Sequence, residues 1–227
     1  MCGRFILSSP SKIPVRFKIT NPMPLFKPSY NISPGSYTPV ITKNSPKKCI
    51  LMKWGLIPFW AKDPKIGFRM INARSEDIDN KPAFRVPIRT HRCLIPSNGF
   101  YEWMKIKLEE REEKIPWFIG FKDMRIFSMA GIYDIWKDSE GKEIYSYSII
   151  TTNAQGRIRK IHDRTPAILD EENEEIWLSE ETPLAGILKL LVPYDTKLIS
   201  YPISKLVNNP ENDSKELIQE YKYPKSI

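Results

Sequence analysis

The sequence predicts an α+β fold: a single domain over residues 1–227, built on a mainly antiparallel, barrel-like sheet with a few short helices. Three observations carry this. Runs rich in aromatic and β-branched residues recur along the chain, most densely from Arg92 to Thr151. Twenty prolines against ten glycines favour short elements joined by rigid turns over long helices. At 227 residues, with 41% apolar and 11% aromatic content, the chain is large enough for one real core and does not require two.

Taken in order, residues 3–8 read as a strand. Residues 10–34 hold six prolines and read as mostly irregular, with one short helix. Strands follow at 38–43 and 48–54. Gly55 to Met70 reads as a long loop carrying Phe59 and Trp60, and a short helix at 82–90 is weakened by Pro87. Further strands are predicted at 92–95, 99–106, 115–121, 125–135 and 144–151. The charged stretch Lys105 to Lys114 falls between two of them as a solvated hairpin tip, and no function is assigned to it. Helices are predicted at 154–161, at 171–180 with Asp170 as N-cap and acids in the first turn, and at 183–191 opening on Pro183. A strand near 196–203 and a helix at 214–221 close the chain.

The net charge of +8, from 35 basic and 27 acidic residues, favours a polyanionic partner, nucleic acid first, although a solvated basic surface gives the same total. The three cysteines, Cys2, Cys49 and Cys93, have no metal-type spacing, and His91 near Cys93 is too isolated for zinc. No metal or cofactor is expected. Phe5-Ile6-Leu7 is too short for a signal-peptide core, and no apolar run approaches the roughly 20 residues of a membrane span. A monomeric, cytoplasmic protein with reduced thiols and no membrane partner is expected.

Chemistry begins at Met1-Cys2-Gly3-Arg4. Removal of Met1 would place an α-amine and a thiol on adjacent carbons, with ordinary pKa values near 8 and 8.5. Such a pair captures an aldehyde twice: the amine forms an imine, then sulfur closes a thiazolidine. Cys2 also reads simply as a small, half-buried residue. In Phe100-Tyr101-Glu102-Trp103-Met104, strand alternation puts Glu102 with Phe100 and Met104, and Tyr101 with Trp103 on the other side. A carboxylate among apolar groups has a raised pKa and serves as acid or base near neutrality. An edge glutamate facing water or pairing with lysine is the alternative. His162, in a loop beside Asp163 and Arg164, suits proton donation or a structural bond to a carbonyl. The run from Asn72 to Glu76 reads as a helix-capping turn, or as Asn72 supplying hydrogen bonds and Arg74 a phosphate contact. Trp54, Trp60 and Trp103 are the tryptophans most open to exposure. Trp60 in its loop suits base stacking, whereas Trp54 at a strand end suits the core.

Together these segments resemble the SOS-response-associated peptidase family, the abasic-site processing proteins. The pieces are Met1-Cys-Gly-Arg-Phe5, Tyr30-Asn-Ile-Ser-Pro34, Trp54-Gly-Leu-Ile-Pro-Phe-Trp60, Asn72-Ala-Arg-Ser-Glu76, Cys93-Leu-Ile-Pro96 with Gly99-Phe-Tyr-Glu-Trp103, Thr151-Thr152, His162-Asp-Arg-Thr-Pro166 and Val207-Asn-Asn-Pro210. They run in family order across nearly the whole chain. The resemblance implies autocatalytic removal of Met1, binding of single-stranded DNA with an abasic site, and a thiazolidine crosslink from Cys2 to the C1′ aldehyde. It implies Cys2 as nucleophile and Glu102 as the proton carrier at Cys2. His162 would be the acid that helps open the sugar, and Asn72 would position the Cys2 backbone or the sugar. Arg4, Arg74, Arg164 and Thr151 would hold phosphates, and Trp60 and Trp103 would stack on bases. A crosslinked protein would be found with the nucleoid. Thr165 stands where the family often has methionine, Ser97-Asn98 vary a common turn, and residues 10–30 match poorly.

Two other readings stay open. Glutamine amidotransferases of the N-terminal-nucleophile kind also begin Met-Cys-Gly, but they need an oxyanion hole and a glutamine site. Their accompanying segments are not found here, and neither His162 to Pro166 nor Phe100 to Trp103 has a role in that scheme. A non-catalytic basic binding module would use the charge alone.

Overall fold

The computed structural model describes residues 2–107, 112–194 and 197–223. Its strands are β1 (Arg4–Leu7), β2 (Ser29–Ile32), β3 (Tyr37–Thr42), β4 (Ser45–Trp54), β5 (Asn72–Arg74), β6 (Arg92–Ser97) and β7 (Gly99–Lys107). They continue with β8 (Glu112–Phe121), β9 (Phe127–Lys137), β10 (Glu143–Asn153), β11 (Arg164–Pro166), β12 (Ile168–Leu169) and β13 (Leu198–Pro202). The helices are α1 (Ile13–Arg16), α2 (Pro87–Thr90), α3 (Gly156–Ile161), α4 (Glu171–Leu178) and α5 (Leu184–Leu188). The longest, α4, has eight residues, as the proline content leads one to expect.

Strands β10, β4, β3, β6 and β9 pair in that cycle, and β9 pairs back to β10, closing a five-strand barrel. All its pairings are antiparallel except β10 with β4. Beside it lies a second sheet in the order β13-β8-β7-β1-β2. The predicted α+β, barrel-like class is what the chain adopts.

Alternation sorts the second sheet's side chains onto two cores. Phe5, Leu7, Phe100 and Ile119 join the main core with the barrel, and Ile6, Tyr101 and Phe118 join a smaller one with Ile203, Val207 and Leu217. Both faces of this sheet are therefore covered, which explains why its central strands carry apolar residues on both sides. The alternation read at Glu102 holds: Phe100 and Met104 pack on the main core, Tyr101 and Trp103 on the other.

Several elements differ from the sequence reading. β2, β5, β11 and β12 were not expected as strands; each is two to four residues long, and β5, β11 and β12 exist because the longer strands β9 and β10 supply their partners, while β2 pairs with the equally short β1. Asn72 to Arg74 is not a helix-capping turn but a strand lying parallel to β10, with Ile149 opposite Asn72. The helices expected at 183–191 and 82–90 shorten to α5 and α2, and 214–221 contains only a 3-10 turn at Lys215–Ile218. Asp170 is the N-cap residue of α4, but its side chain makes no cap bond; it accepts from the Tyr194 hydroxyl at 3.1 Å. The β7–β8 hairpin pairs as far as Lys107 opposite Glu112, and the tip itself lies outside the described residues.

The loop between β4 and β5 is pinned rather than loose. Gly55 has φ +119°, and a Cβ there would meet the Gly67 backbone oxygen at 2.7 Å, so the loop's two ends touch backbone to backbone. The Ile57 N–H donates to the Ser146 hydroxyl at 2.7 Å and the Phe59 N–H to the Asp134 carboxylate at 2.9 Å. No helix among the described residues is long and apolar enough to cross a membrane.

Candidate active site around Cys2

β1 delivers the cysteine. Its register sets Arg4 opposite Tyr101 and Phe5 opposite Phe100. The Arg4 guanidinium donates to Asn31 Oδ1 at 2.7 Å and to the Val207 carbonyl at 2.9 Å, anchoring the strand's start. Cys2 is fully buried within the main core, and its thiol donates to the Arg4 carbonyl at 3.7 Å. Burial pushes the thiol pKa far above its ordinary value, and the Glu102 carboxylate adds to the rise. This corrects the unperturbed thiol assumed from sequence: the sulfur is held as S–H at neutral pH.

Three side chains from distant segments close around it. Asn72 on β5 donates from Nδ2 to the Cys2 carbonyl at 2.8 Å, while its Oδ1 is buried and accepts no hydrogen bond from the described residues. Glu102 on β7 is buried at 2% exposure, with Trp117 as its cross-strand neighbour. Desolvation raises its carboxyl from 4.5 to about 7. His162 follows α3 and presents Nε2 to Glu102 Oε2 at 3.8 Å. The Arg164 N–H donates to Nδ1 at 2.9 Å, so the neutral ring carries its proton on Nε2. Asp163 Oδ1 also lies 2.9 Å from Nδ1, a contact that becomes an ion pair only when the ring is protonated. Burial lowers the His162 pKa, which favours the neutral ring. The set places a carboxyl and an imidazole 3.8 Å apart, with a cysteine whose backbone carbonyl is held by Asn72.

The expected DNA-contact residues divide. Arg74 is exposed on β5, two residues beyond Asn72. Trp103 is half-buried, donates from its indole to Asn208 Oδ1 at 2.8 Å, and lines a cleft of about 900 Å³ with Glu102 and His162. Trp60 is 49% exposed, in a separate groove with Phe68 and Arg69, while Trp54 is core, as read. Arg164 and Thr151 require correction as phosphate contacts. The Arg164 guanidinium is buried and engages Glu76 twice, at 2.7 and 2.9 Å, with further bonds to Asn153 Oδ1 and the Thr151 carbonyl. Thr151 has no exposure at all. Both terminal nitrogens of Arg164 are engaged inside the protein and its Nε is buried, so the guanidinium does not present its fork to an anion from solvent. Arg4, half-buried, donates to Asn31 and to the carbonyls of Val207 and Asn208.

Sequence reasoning passed over other residues of the cleft: Lys105 and Lys114 of the hairpin, Arg159 and Lys160 of α3, and Asn208. The signal lay in the charge of those segments, which reads equally well as a solvated face. Among the described residues no group of three or more His, Cys, Asp or Glu is placed to hold a metal ion.

An α+β fold with a closed barrel thus brings an amide, a carboxylate and an imidazole together near a buried cysteine at the second position. The model of the SOS response associated peptidase (SRAP) family matches residues 1–210. The chain is 42% identical over 227 residues to the abasic site processing protein YoqW of Bacillus subtilis, covering 97% of this chain and 100% of that one. It is 35% identical over 230 residues to the mouse abasic site processing protein HMCES, covering 84% of this chain and 64% of that one. A crystal structure of a Bacteroides thetaiotaomicron protein superposes with a TM-score of 0.87 at 34% identity, covering 97% of this chain and 100% of that chain. The chain belongs to the SRAP family.

Proposed function

We propose that this protein processes abasic sites in single-stranded DNA, crosslinking itself to the lesion through Cys2 after removing its own Met1. The names of its relatives support abasic-site processing. The convergence of Asn72, Glu102 and His162 on Cys2 carries the chemistry.

Maturation hydrolyses the Met1–Cys2 peptide bond, consuming one water and releasing methionine, and leaves the α-amine of Cys2. That amine attacks the C1′ aldehyde of the ring-opened sugar. The carbinolamine loses water to give an imine, and the thiol then adds across C=N, forming the C–S bond while its proton passes to nitrogen. The thiazolidine therefore forms with net loss of one water. A sulfur held as S–H suits this order, because the amine acts first and the thiol follows.

Glu102, with its carboxyl raised to about 7, exists in both forms near neutrality and can take and return a proton at Cys2. His162, with its proton on Nε2, donates toward the sugar oxygen as the ring opens. The buried, open Oδ1 of Asn72 accepts from the new amine or a sugar hydroxyl while Nδ2 holds the Cys2 carbonyl. Arg74 meets a phosphate, and Trp60 and Trp103 meet bases. Arg164 orients His162 through its own N–H and leaves the DNA to others.

The test is a denaturing gel of the protein with a single strand carrying one abasic site, beside an intact-mass spectrum. A heat-stable shifted band, with the free protein short of one methionine, is expected. No band from protein that begins at Cys2 would overturn the reading and direct the next assay to glutaminase activity.

A further inference from the structure

The cleft that opens from Glu102 and His162 extends well beyond them. β1 pairs with β7 only as far as Tyr101, so β7 outruns it and its edge from Trp103 to Lys107 is open on that side. α3 packs against β7 across this gap. Four exposed cations line the space: Lys105 on β7, Lys114 on β8, and Arg159 and Lys160 on α3.

Their arrangement has an electrostatic cost. Lys105 and Lys114 stand directly opposite each other in the ladder, and like charges so placed destabilise a hairpin. Glu112 pairs with Lys105 at 3.0 Å, which lowers its carboxyl pKa, and the charge of Lys114 lowers it too, so one carboxylate serves both lysines. Arg159 makes one long bond, at 3.4 Å, to the Asp163 carbonyl. Cations at the last turn of α3 complement its dipole, but that alone does not require them to face two more cations across a cleft. A polyanion threading the cleft would turn this repulsion into attraction. Among the described residues the acids there are few: Glu112 is paired with Lys105, Asp163 lies against His162, and Glu102 is buried.

We propose that this cleft is a phosphate track: Lys105, Lys114, Arg159 and Lys160 hold the sugar–phosphate backbone of single-stranded DNA on one flank of the lesion. The inference rests on the abasic-site reading and deepens it by assigning the path of one flank. Trp103, at the mouth with its indole nitrogen tied to Asn208, marks where the strand leaves the reacting sugar. The contacts are to phosphates, so the track reads no base sequence.

The test uses the whole protein and a variant carrying Lys105→Ala, Lys114→Ala, Arg159→Ala and Lys160→Ala. Binding is read reversibly on single strands bearing a tetrahydrofuran abasic analogue, which lacks the aldehyde, at the centre, the 5′ end or the 3′ end. With the central analogue the apparent Kd is expected to rise at least tenfold, and the log–log salt slope to become shallower by about 2 to 3, at roughly 0.7 per phosphate. Of the two end-placed analogues, only the one that keeps the flank in the cleft is expected to weaken. A second variant, Lys105→Arg with Lys114→Arg, should keep the original affinity, which separates lost charge from a disturbed hairpin. Equal weakening of both end-placed strands, or weakening of neither, would overturn the track. A natural abasic strand is run beside these with the unaltered protein. If it gives no covalent band, the abasic-site reading fails and the track falls with it; if the band forms and the flank asymmetry is missing, the track alone falls.

Discussion

A thiol sealed in an apolar core is a poor nucleophile until something takes its proton, and Glu102 is the group placed to do so. The same burial that holds Cys2 as S–H raises the Glu102 carboxyl to about 7, which makes it a stronger proton acceptor than an ordinary carboxylate while the thiol stays the weaker acid. Cys2→Ala is expected to abolish the covalent band; a surviving adduct would refute the thiazolidine. Glu102→Gln should slow Met1 removal, read by intact mass over time after synthesis. It should also stabilise the fold. In the folded chain Glu102 keeps its proton up to about 7, whereas an ordinary glutamate releases it near 4.5. Stability therefore falls as pH rises through that window and is flat above it, a cost on the order of 3 kcal/mol. Gln copies the protonated form, so the variant is expected to match the parent near pH 4.5 and exceed it near pH 8 in urea unfolding. A variant less stable at pH 8 would show that Glu102 is needed for packing instead.

At the scale of elements, the loop between β4 and β5 carries Trp60 on a rigid footing. A Cβ on Gly67 would come within 2.6 Å of the Gly55 oxygen, a backbone atom that cannot swing aside. Gly67→Ala is expected to cost about 1–3 kcal/mol in urea unfolding and to weaken single-strand binding, because Trp60 moves with the loop. Normal stability in that variant would mean the two loop ends can part. The long strands were legible because their apolar residues recur with a period of two and their turns are marked, as at Ser97-Asn98-Gly99. β5 was not, since three residues form a strand only where β10 offers an edge, and sequence does not show which edge is near. The helix expected at 183–191 overshot because its apolar pattern runs past Leu188, where the backbone bonds tighten to turns, Leu190 to Ile187 and Leu191 to Leu188.

Across the whole molecule the candidate site is assembled from four places in the chain, and sequence exposes its members unequally. Cys2, Glu102 and His162 were visible because each is chemically conspicuous where it stands, and Glu102 also because alternation fixed its face. Arg164 misled, since an arginine beside a histidine looks available until Glu76, 88 residues away, is found gripping it. The cations of the cleft were hidden for the opposite reason: hairpin charges look solvated until α3 is set against them. With Arg4 and Arg164 engaged internally, Arg74 is the exposed arginine left beside Asn72. Its place on β5, one strand residue beyond Ala73, puts it on the same short strand as Asn72, which bonds the Cys2 carbonyl. A residue that meets only phosphate contributes equally whether or not the sugar has lost its base. Arg74→Ala is therefore expected to weaken lesion-bearing and intact single strands by the same factor and to reduce the salt slope by about 0.7 for each. Titrations of both strands at several salt concentrations check this. If only the lesion-bearing strand were weakened, Arg74 would belong with the groups that act on the open sugar, and the phosphate near Asn72 would need another partner.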